Sequence, residues 1–301
     1  MEKRERMKYR YAAVVVLYKP DLSVKENILS YAAHIERIYA VDNSAVPDGS
    51  LLEWIQGEKN ITYVSMHGNQ GLAKALIKGC KLAAEENYDF VMTMDQDSGF
   101  MENAVTIMKD YIETVDMSDI GIVCPSVDLI FRQDHKLYVT RKNYFKNTQT
   151  CTLKNWVMTS GSFMDIRKYH EVGGFDEKLF IDHIDIDYGI KLQQHHYEIH
   201  QLLDARIIQR LGNSQEKKFL WKTVHPNYAD PVRTYYIVRN QYYLLQKYGR
   251  SYKAFTKVSY LKIAAKILLY EHGKWRQLLM FVRGYRDGRR GRMGKCRYTD
   301  A

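Results

Sequence analysis

Asp95 and Asp97 stand one residue apart, followed by Ser98. Two carboxylates at that spacing suit a hard divalent cation, which binds through one or two carboxylates plus phosphate oxygens and keeps several waters. Asp42-Asn43-Ser44 and His67-Gly68-Asn69-Gln70-Gly71 are two further polar clusters, each placed directly after a β-branched run. Ninety residues beyond Asp95 comes a second acidic group, Asp182, Asp185 and Asp187, at the start of a helical stretch. Each group taken alone has a plainer reading. Asp-Asn-Ser forms turns and helix caps, Asn-x-Gly forms tight turns, and acids favour helix N-termini. The order in which they occur carries the argument.

The elements around these clusters give them a common location. Residues 12–17 (AAVVVL), 38–41, 61–65, 90–94 and 120–124 read as buried strands, and 22–34, 72–87 and 102–115 carry apolar residues at helical spacing. Alternation of this kind predicts an α/β domain with a mainly parallel sheet. Ligands bind such sheets beyond the carboxyl ends of the strands, which is where the first three polar clusters fall. A short helix is expected over 166–172, with Gly173-Gly174 ending it.

Composition narrows the classes. The chain has 301 residues, 46% hydrophobic and 27% charged, which excludes a disordered, collagen-like or coiled-coil chain. The longest apolar run, 11–18, is far shorter than the roughly 20 residues a spanning helix needs. A basic start precedes that run, but Lys19-Pro20 ends it and no small-residue cleavage site follows, so no signal peptide is expected. Cys80, Cys124, Cys151 and Cys296 are widely spaced, as expected of free thiols in a reducing compartment.

Charge is concentrated at one end. Residues 247–297 hold 15 Lys and Arg against two acids, Glu271 and Asp287, while the remainder holds 30 basic and 33 acidic residues. Within this stretch, 252–281 has helical periodicity, with Leu261, Ala265, Leu268 and Leu269 spaced three or four apart and Trp275, Leu278 and Leu279 beyond Gly273. A basic amphipathic helix fits an anionic membrane surface, and it fits equally well against the body of the protein. The stretch lacks any nucleic-acid-binding signature, so no nucleic acid is expected.

The ordered motifs now point to a family. The strand ending at Tyr18, Asp42-Asn43-Ser44, Asn69-x-Gly71-x-Ala73 and Asp95-x-Asp97 are followed by Thr159-Ser160-Gly161-Ser162 and Gly173-Gly174-Phe175-Asp176-Glu177. The segment 180–188 (FIDHIDIDY) and the run 233–240 (RTYYIVRN) complete the set. Over about residues 10–248 this order resembles family 2 inverting glycosyltransferases, most of all bacterial rhamnosyltransferases of polysaccharide assembly. The resemblance implies a GT-A fold, Rossmann-like, with a mainly parallel central sheet flanked by helices and a basic helical C-terminal extension. It implies a glycosyltransferase domain over 1–246, with nucleotide-binding (10–125) and acceptor (126–246) parts, and a basic amphipathic region over 247–301.

The same resemblance implies roles. Tyr18 and Asp42 would hold the nucleotide base, Asn43 and Ser44 would shape its pocket, and Asn69 and Gly71 would lie on the donor side. Asp95 and Asp97 would place Mg²⁺ or Mn²⁺ against the diphosphate. Asp185 would be the general base, with Gly161, Asp187, Arg233 and Arg239 on the acceptor side. The implied reaction moves L-rhamnose from dTDP-β-L-rhamnose to a glycan or lipid-linked oligosaccharide, at the cytoplasmic face of a membrane. UDP-galactofuranose, UDP-glucose and UDP-galactose are alternative donors, and a non-catalytic tethering protein is an alternative of another class. Three positions depart from the family pattern: Lys74, Ile184, and Gln209, where relatives often carry His. His225 is a possible substitute from a nearby loop.

Overall fold

Tyr11–Leu17 forms strand β1 and is buried along its whole length. Tyr11, Ala13, Val15 and Leu17 join one apolar cluster, while Ala12, Val14 and Val16 join another. That alternation is the mark of a central strand covered on both faces. The computed structural model describes residues 8–133, 136–140, 150–210, 217–219, 222–224, 230–255, 260–271 and 273–298. His225 lies outside the described residues.

In chain order, β1 is followed by α1 (Ser23–Ala32), β2 (Arg37–Asp42), α2 (Gly49–Gly57), β3 (Ile61–Ser65), α3 (Leu72–Glu85) and β4 (Phe90–Asp95). Next come β5 (Ser98–Phe100), α4 (Ala104–Thr114), β6 (Ile120–Gln133), β7 (Lys136–Thr140), β8 (Cys151–Lys154), β9 (Ser162–Asp165) and α5 (Ile166–Glu171). A 3-10 turn at Glu177–Leu179 precedes α6 (Ile184–Gln194) and β10 (Glu198–Arg210), and β11 (Lys217–Phe219) pairs with β12 (Lys222–Val224). The chain closes with α7 (Pro231–Tyr248), α8 (Arg250–Phe255), α9 (Tyr260–Tyr270) and α10 (Lys274–Arg289).

The main sheet runs β3-β2-β1-β4-β9-β6-β10-β5. Strands β3, β2, β1, β4, β6 and β10 point one way, and β9 and β5 point the other. Helices α1, α2 and α4 cover one face, while α3, α5 and α6 cover the other. Helix α3 lies directly on β1, since a Cβ at Gly79 would stand 2.4 Å from Val14 Cγ1.

The five expected strands are present, and β6 continues well past residue 124 to Gln133. Helix α2 was not expected. It is a nine-residue segment with glycine at each end, too short for its apolar period to show, and Asp48 caps it by accepting from Leu51 N at 2.9 Å. The antiparallel insert β9 was not foreseen either, because four residues reveal no period. Gly173 and Gly174, both at positive φ, do end α5, with Gly174 N donating to Tyr169 O at 2.7 Å.

The C-terminal stretch departs from a continuous helical pattern over 252–281. It forms α8, α9 and α10, and Gly273 at φ +62° sets the start of α10. Helix α10 packs backbone to backbone on α7: a Cβ at Gly284 would lie 2.5 Å from Tyr235 O, and one at Gly288 would lie 3.0 Å from Arg239 O. Residues 246 and 247 both fall inside α7. Among the described residues, no helix is long and apolar enough to cross a membrane.

Candidate functional site

From β1 the chain winds through β2 and β3 on one side, then returns to place β4 on the other side of β1. This reversal opens a crevice beyond the carboxyl ends of β1 and β4. Tyr18 and Asp95 meet there, because Val16 and Asp95 are register partners. Two bonds lock the corner: Tyr18 N donates to Gln96 Oε1 at 2.8 Å, and Gln96 Nε2 donates to Tyr18 O at 3.1 Å. Behind Asp95, its own N–H donates to Ser160 Oγ at 3.1 Å. Strand β5 folds back on β10 with Ser98 opposite Gln209, and Gln209 Nε2 donates to Asp95 Oδ2 at 3.0 Å.

The facing wall is a loop. Phe180, Asp182 and His183 all have φ near +65°, a conformation costing about 1–3 kcal/mol per non-glycine residue. Helix α7 holds this loop with one stripe of side chains at alternating three- and four-residue spacing, hence on one helical face. Arg233 donates to Asp182 Oδ1 from Nε (3.2 Å) and Nη2 (3.1 Å). Tyr236 stacks on Phe180 with ring centroids 5.0 Å apart. Asn240 Nδ2 donates to the carbonyls of Leu179 (2.9 Å), Ile181 (2.7 Å) and Asp182 (2.9 Å). Tyr243 and Lys247 reach Asp176 Oδ2 at 2.7 and 2.9 Å.

Between these walls lies a cavity of about 530 Å³, lined among others by Tyr18, Asn43, Asn69, Asp95, Asp97, Asp185, Gln209 and Arg233. Acids separated by ninety residues therefore share one space. Burial, then the charges of Asp97 and Asp185, push Asp95 up to about 7, against Arg233 and the Gln209 bond. Burial raises Asp97 as well. Asp185 rises to about 6, through burial first and the charge of Asp182 next, although Ile186 N donates to its Oδ1 at 2.9 Å. Burial lowers His183, whose shielded Nδ1 has no hydrogen-bond partner among the described residues. Asp182 holds Arg233 firmly charged. Carboxylates that resist ionisation beside one another fit a divalent cation, which relieves their repulsion. Among the described residues no three His, Cys, Asp or Glu groups form a metal cage, so a cation here would have to take its other ligands from substrate and water.

Other residues expected in the site lie behind it. Asp42 does not line the cavity: its Oδ1 accepts from Ser44 N at 2.8 Å and its Oδ2 from the Tyr63 hydroxyl at 2.9 Å. Buried Ser44 accepts from Lys19 N at 2.8 Å. Gly71, at φ +93°, makes room for Phe180, whose ring would stand 2.6 Å from a Cβ there. Gly161 likewise packs under Ile207 and Pro125. Buried Asp187 accepts from Lys247 Nζ and the Tyr248 hydroxyl, both at 2.8 Å, and ties α6 to α7. Arg239 is fully buried, donating to the carbonyls of Leu179 (2.9 Å) and Gly294. Of the residues expected on the acceptor side, only Asp185 and Arg233 line the cavity.

Sequence reasoning gave no role to Asp182, His183, Ser160 or Asn240, and marked Gln209 only as standing where relatives carry a His associated with metal or diphosphate binding. The α7 stripe was open to reading as polar residues at helical spacing. Its partners are main-chain carbonyls, which no residue type announces.

Residues 14–173 match the family described as glycosyl transferase family 2. Over 241 residues the chain is 23% identical to dTDP-rhamnosyl transferase RfbF of Shigella flexneri, covering 78% of this chain and 79% of that one. The fold is similar to that of GalNAc-T7, solved with UDP, GalNAc and Mn²⁺, at a TM-score of 0.62 and 11% identity, over 95% of this chain. The chain spans 56% of that protein's length. It is also similar to S. aureus TarS residues 1–349, at a TM-score of 0.52 and 13% identity, covering 94% of this chain and 72% of the other.

Proposed function

The chain belongs to glycosyl transferase family 2 and is a glycosyltransferase; from that premise we propose that it moves L-rhamnose, with inversion, from dTDP-β-L-rhamnose to a lipid-linked glycan. The observation that carries the site assignment is the shared cavity of Asp95, Asp97 and Asp185. The likeness to a dTDP-rhamnosyl transferase over most of both chains supports the donor.

Tyr18 and Asn43 wall the nucleoside, and Asn69 accepts Gly71 N at 3.0 Å to hold the adjoining turn. Asp42 and Ser44 brace this pocket from behind. Asp95 and Asp97 would hold Mg²⁺ or Mn²⁺, which neutralises charge on the departing diphosphate. Gln209 keeps Asp95 oriented. Asp185 Oδ1 is occupied by Ile186 N, and Oδ2 takes the acceptor hydroxyl's proton as that oxygen attacks the anomeric carbon. A carboxylate raised toward 6 is a stronger base than an ordinary one and still ionised at neutral pH. Arg233 and His183 line the side from which the acceptor enters.

Purified protein given dTDP-β-L-rhamnose with Mg²⁺ or Mn²⁺ should release dTDP, faster with a glycan acceptor. Release from no nucleotide sugar under any of these conditions would contradict the reading. Thermal-shift comparison with UDP-galactofuranose, UDP-glucose and UDP-galactose separates the alternative donors, since the bound one stabilises the fold.

The reading includes peripheral attachment to the cytoplasmic face of a membrane through α9 and α10. It is supported by exposed Leu261, Leu268 and Leu269 beside Lys262 and Lys266. Sedimentation with anionic vesicles should weaken as salt rises, and no sedimentation at low salt would remove this part.

A further inference from the structure

A second depression lies outside the catalytic cavity, between the start of α7 and the outer face of α10. It encloses about 380 Å³ and is lined by Val232, Trp275, Arg276, Leu279, Met280 and Arg283, with Tyr298 at its edge. Trp275 is 87% exposed and Leu279 48% exposed, a large apolar surface to leave in water beside a pocket.

The depression and the catalytic cavity share a wall. Phe180 and Ile181, which line the cavity, pack in one apolar cluster with Val232, Met280 and Tyr298, which line the groove. Arg233, the residue after Val232, points the other way, into the cavity. A molecule lying in the groove could therefore reach the cavity across one turn of α7.

The groove's lining carries two arginines and no acid, with exposed Asp230 capping α7 at the end next to Pro231. Glu271 and Asp287, the two acids of residues 247–297, are 4% and 1% exposed. They are used internally, Glu271 by Lys266 at 3.0 Å and Asp287 by Arg297 at 3.0 Å. Among the described residues of 247–297, the exposed charges are therefore all cationic. The Arg283 guanidinium stacks 4.5 Å over the Tyr298 ring and pairs with no carboxylate among the described residues. Stacking holds the planar fork, and while Nη1 donates to Met280 Sδ at 3.8 Å the remaining N–H groups can face an oxyanion.

We propose that this groove binds the lipid diphosphate of the acceptor, an amphiphile in which a diphosphate joins a glycan to an apolar isoprenoid-like chain. The diphosphate meets Arg276 and Arg283, the first apolar units lie against Trp275 and Leu279, and the glycan crosses Val232 to present its hydroxyl to Asp185. The inference rests on the transferase reading above and adds to it the place and chemistry of the acceptor's anchor.

The test titrates farnesyl diphosphate, kept below its micelle concentration, into the full-length protein and follows binding by calorimetry. Saturable binding is expected, at least about tenfold tighter than that of inorganic pyrophosphate or of farnesol, and undiminished by saturating dTDP. Joint substitution Arg276→Glu and Arg283→Glu should weaken it about 30-fold or more. Trp275→Ser with Leu279→Ser, both at exposed positions, should weaken it about tenfold and covers the case in which the arginine variant does not fold. Absence of saturable binding, displacement by dTDP, or unchanged affinity in the folded variants would overturn the proposal. So would recruitment to phosphatidylglycerol vesicles without farnesyl diphosphate binding, since the face would then be a general bilayer contact. Release of dTDP from dTDP-rhamnose by the unaltered protein is scored separately. Its failure removes the transferase reading, whereas the titration alone decides whether the groove takes an isoprenoid diphosphate.

Discussion

The two walls of the cavity are positioned by different forces. On the wall carrying Tyr18, Asp95 and Gln209, every functional residue ends or follows a strand, and the hydrogen-bond register of β1 with β4 and of β5 with β10 sets its place. On the wall carrying Asp182, His183 and Asp185, the backbone takes positive φ at three non-glycine residues and is held by side chains of α7. The first wall is stabilised by the sheet that forms the core. The second depends on a few buried hydrogen bonds and on α10 pressing α7 into place. Damage to α7 should therefore appear in steps that involve the acceptor before it appears in donor binding.

The largest effect expected from that contrast is at the base itself. Asp185→Asn should lower transfer about 10³-fold or more while dTDP affinity stays within about threefold, because the donor wall is untouched. Near-normal turnover in this variant would remove Asp185 from the role. Asn240→Ala releases three loop carbonyls, and a displacement of about 1 Å at a reacting group costs on the order of 100-fold in rate. The kcat for transfer should drop by about that factor with donor KM little changed. An equal loss in both parameters would show that the loop also supports the donor wall.

Acidity offers a smaller perturbation that needs no mutation. Asp185 is raised to about 6 and, as the proposed base, would work only when ionised; with donor and Mg²⁺ saturating, so that the cation keeps Asp95 ionised, transfer should fall about tenfold per pH unit below that value and level off above it. An acid limb near the ordinary carboxylate value of about 4 would mean that the buried, like-charged setting of Asp185 is absent in solution.

The smallest effect concerns the loop's anchor. Burial opposes ionisation of Asp176, but bonds from Lys247 and Tyr243 carry its pKa below the usual carboxylate value. A depressed folded-state pKa adds stability above the unfolded value and loses it as pH falls through the folded one. Asp176→Asn should therefore lower the melting temperature by a few degrees at pH 7, with the gap closing as pH falls below the ordinary carboxylate value. A gap that persists unchanged at low pH would assign the loss to packing instead.

The same contrast explains what could be read from the sequence. Polar clusters directly after β-branched runs located the wall carrying Tyr18 and Asp95, because a parallel sheet puts every such cluster at one edge. Asp42 and Asn43 were less separable. Consecutive residues leaving a strand face opposite ways, so Asn43 lines the cavity while Asp42 turns back to Tyr63. Gly71 was read on the donor side and Gly161 as a close backbone approach, for substrate or for packing; their lack of a Cβ lets Phe180 and Ile207 pack closely. Asp187, read as an orienting or structural group near the acceptor, and Arg239, read on the acceptor side, are the buried ties between the loop, α6 and α7. The wall carrying Asp182 and Asp185 was legible as an acidic cluster but not as a shape, since its geometry comes from bonds between α7 side chains and loop carbonyls distant in sequence. The helical period of 252–281 revealed helices, but not that Leu261 and Trp275 would remain exposed.

The central claim is that one cavity joins a nucleotide diphosphate to the acids from both halves of the chain. Its most direct test is a crystal soaked with dTDP and Mn²⁺. The account predicts an anomalous manganese peak within coordination distance of Asp95 or Asp97, the nucleoside against Tyr18 and Asn43, and Asp185 across the cavity from the diphosphate. Nucleotide bound elsewhere, with no cation at either carboxylate, would contradict it.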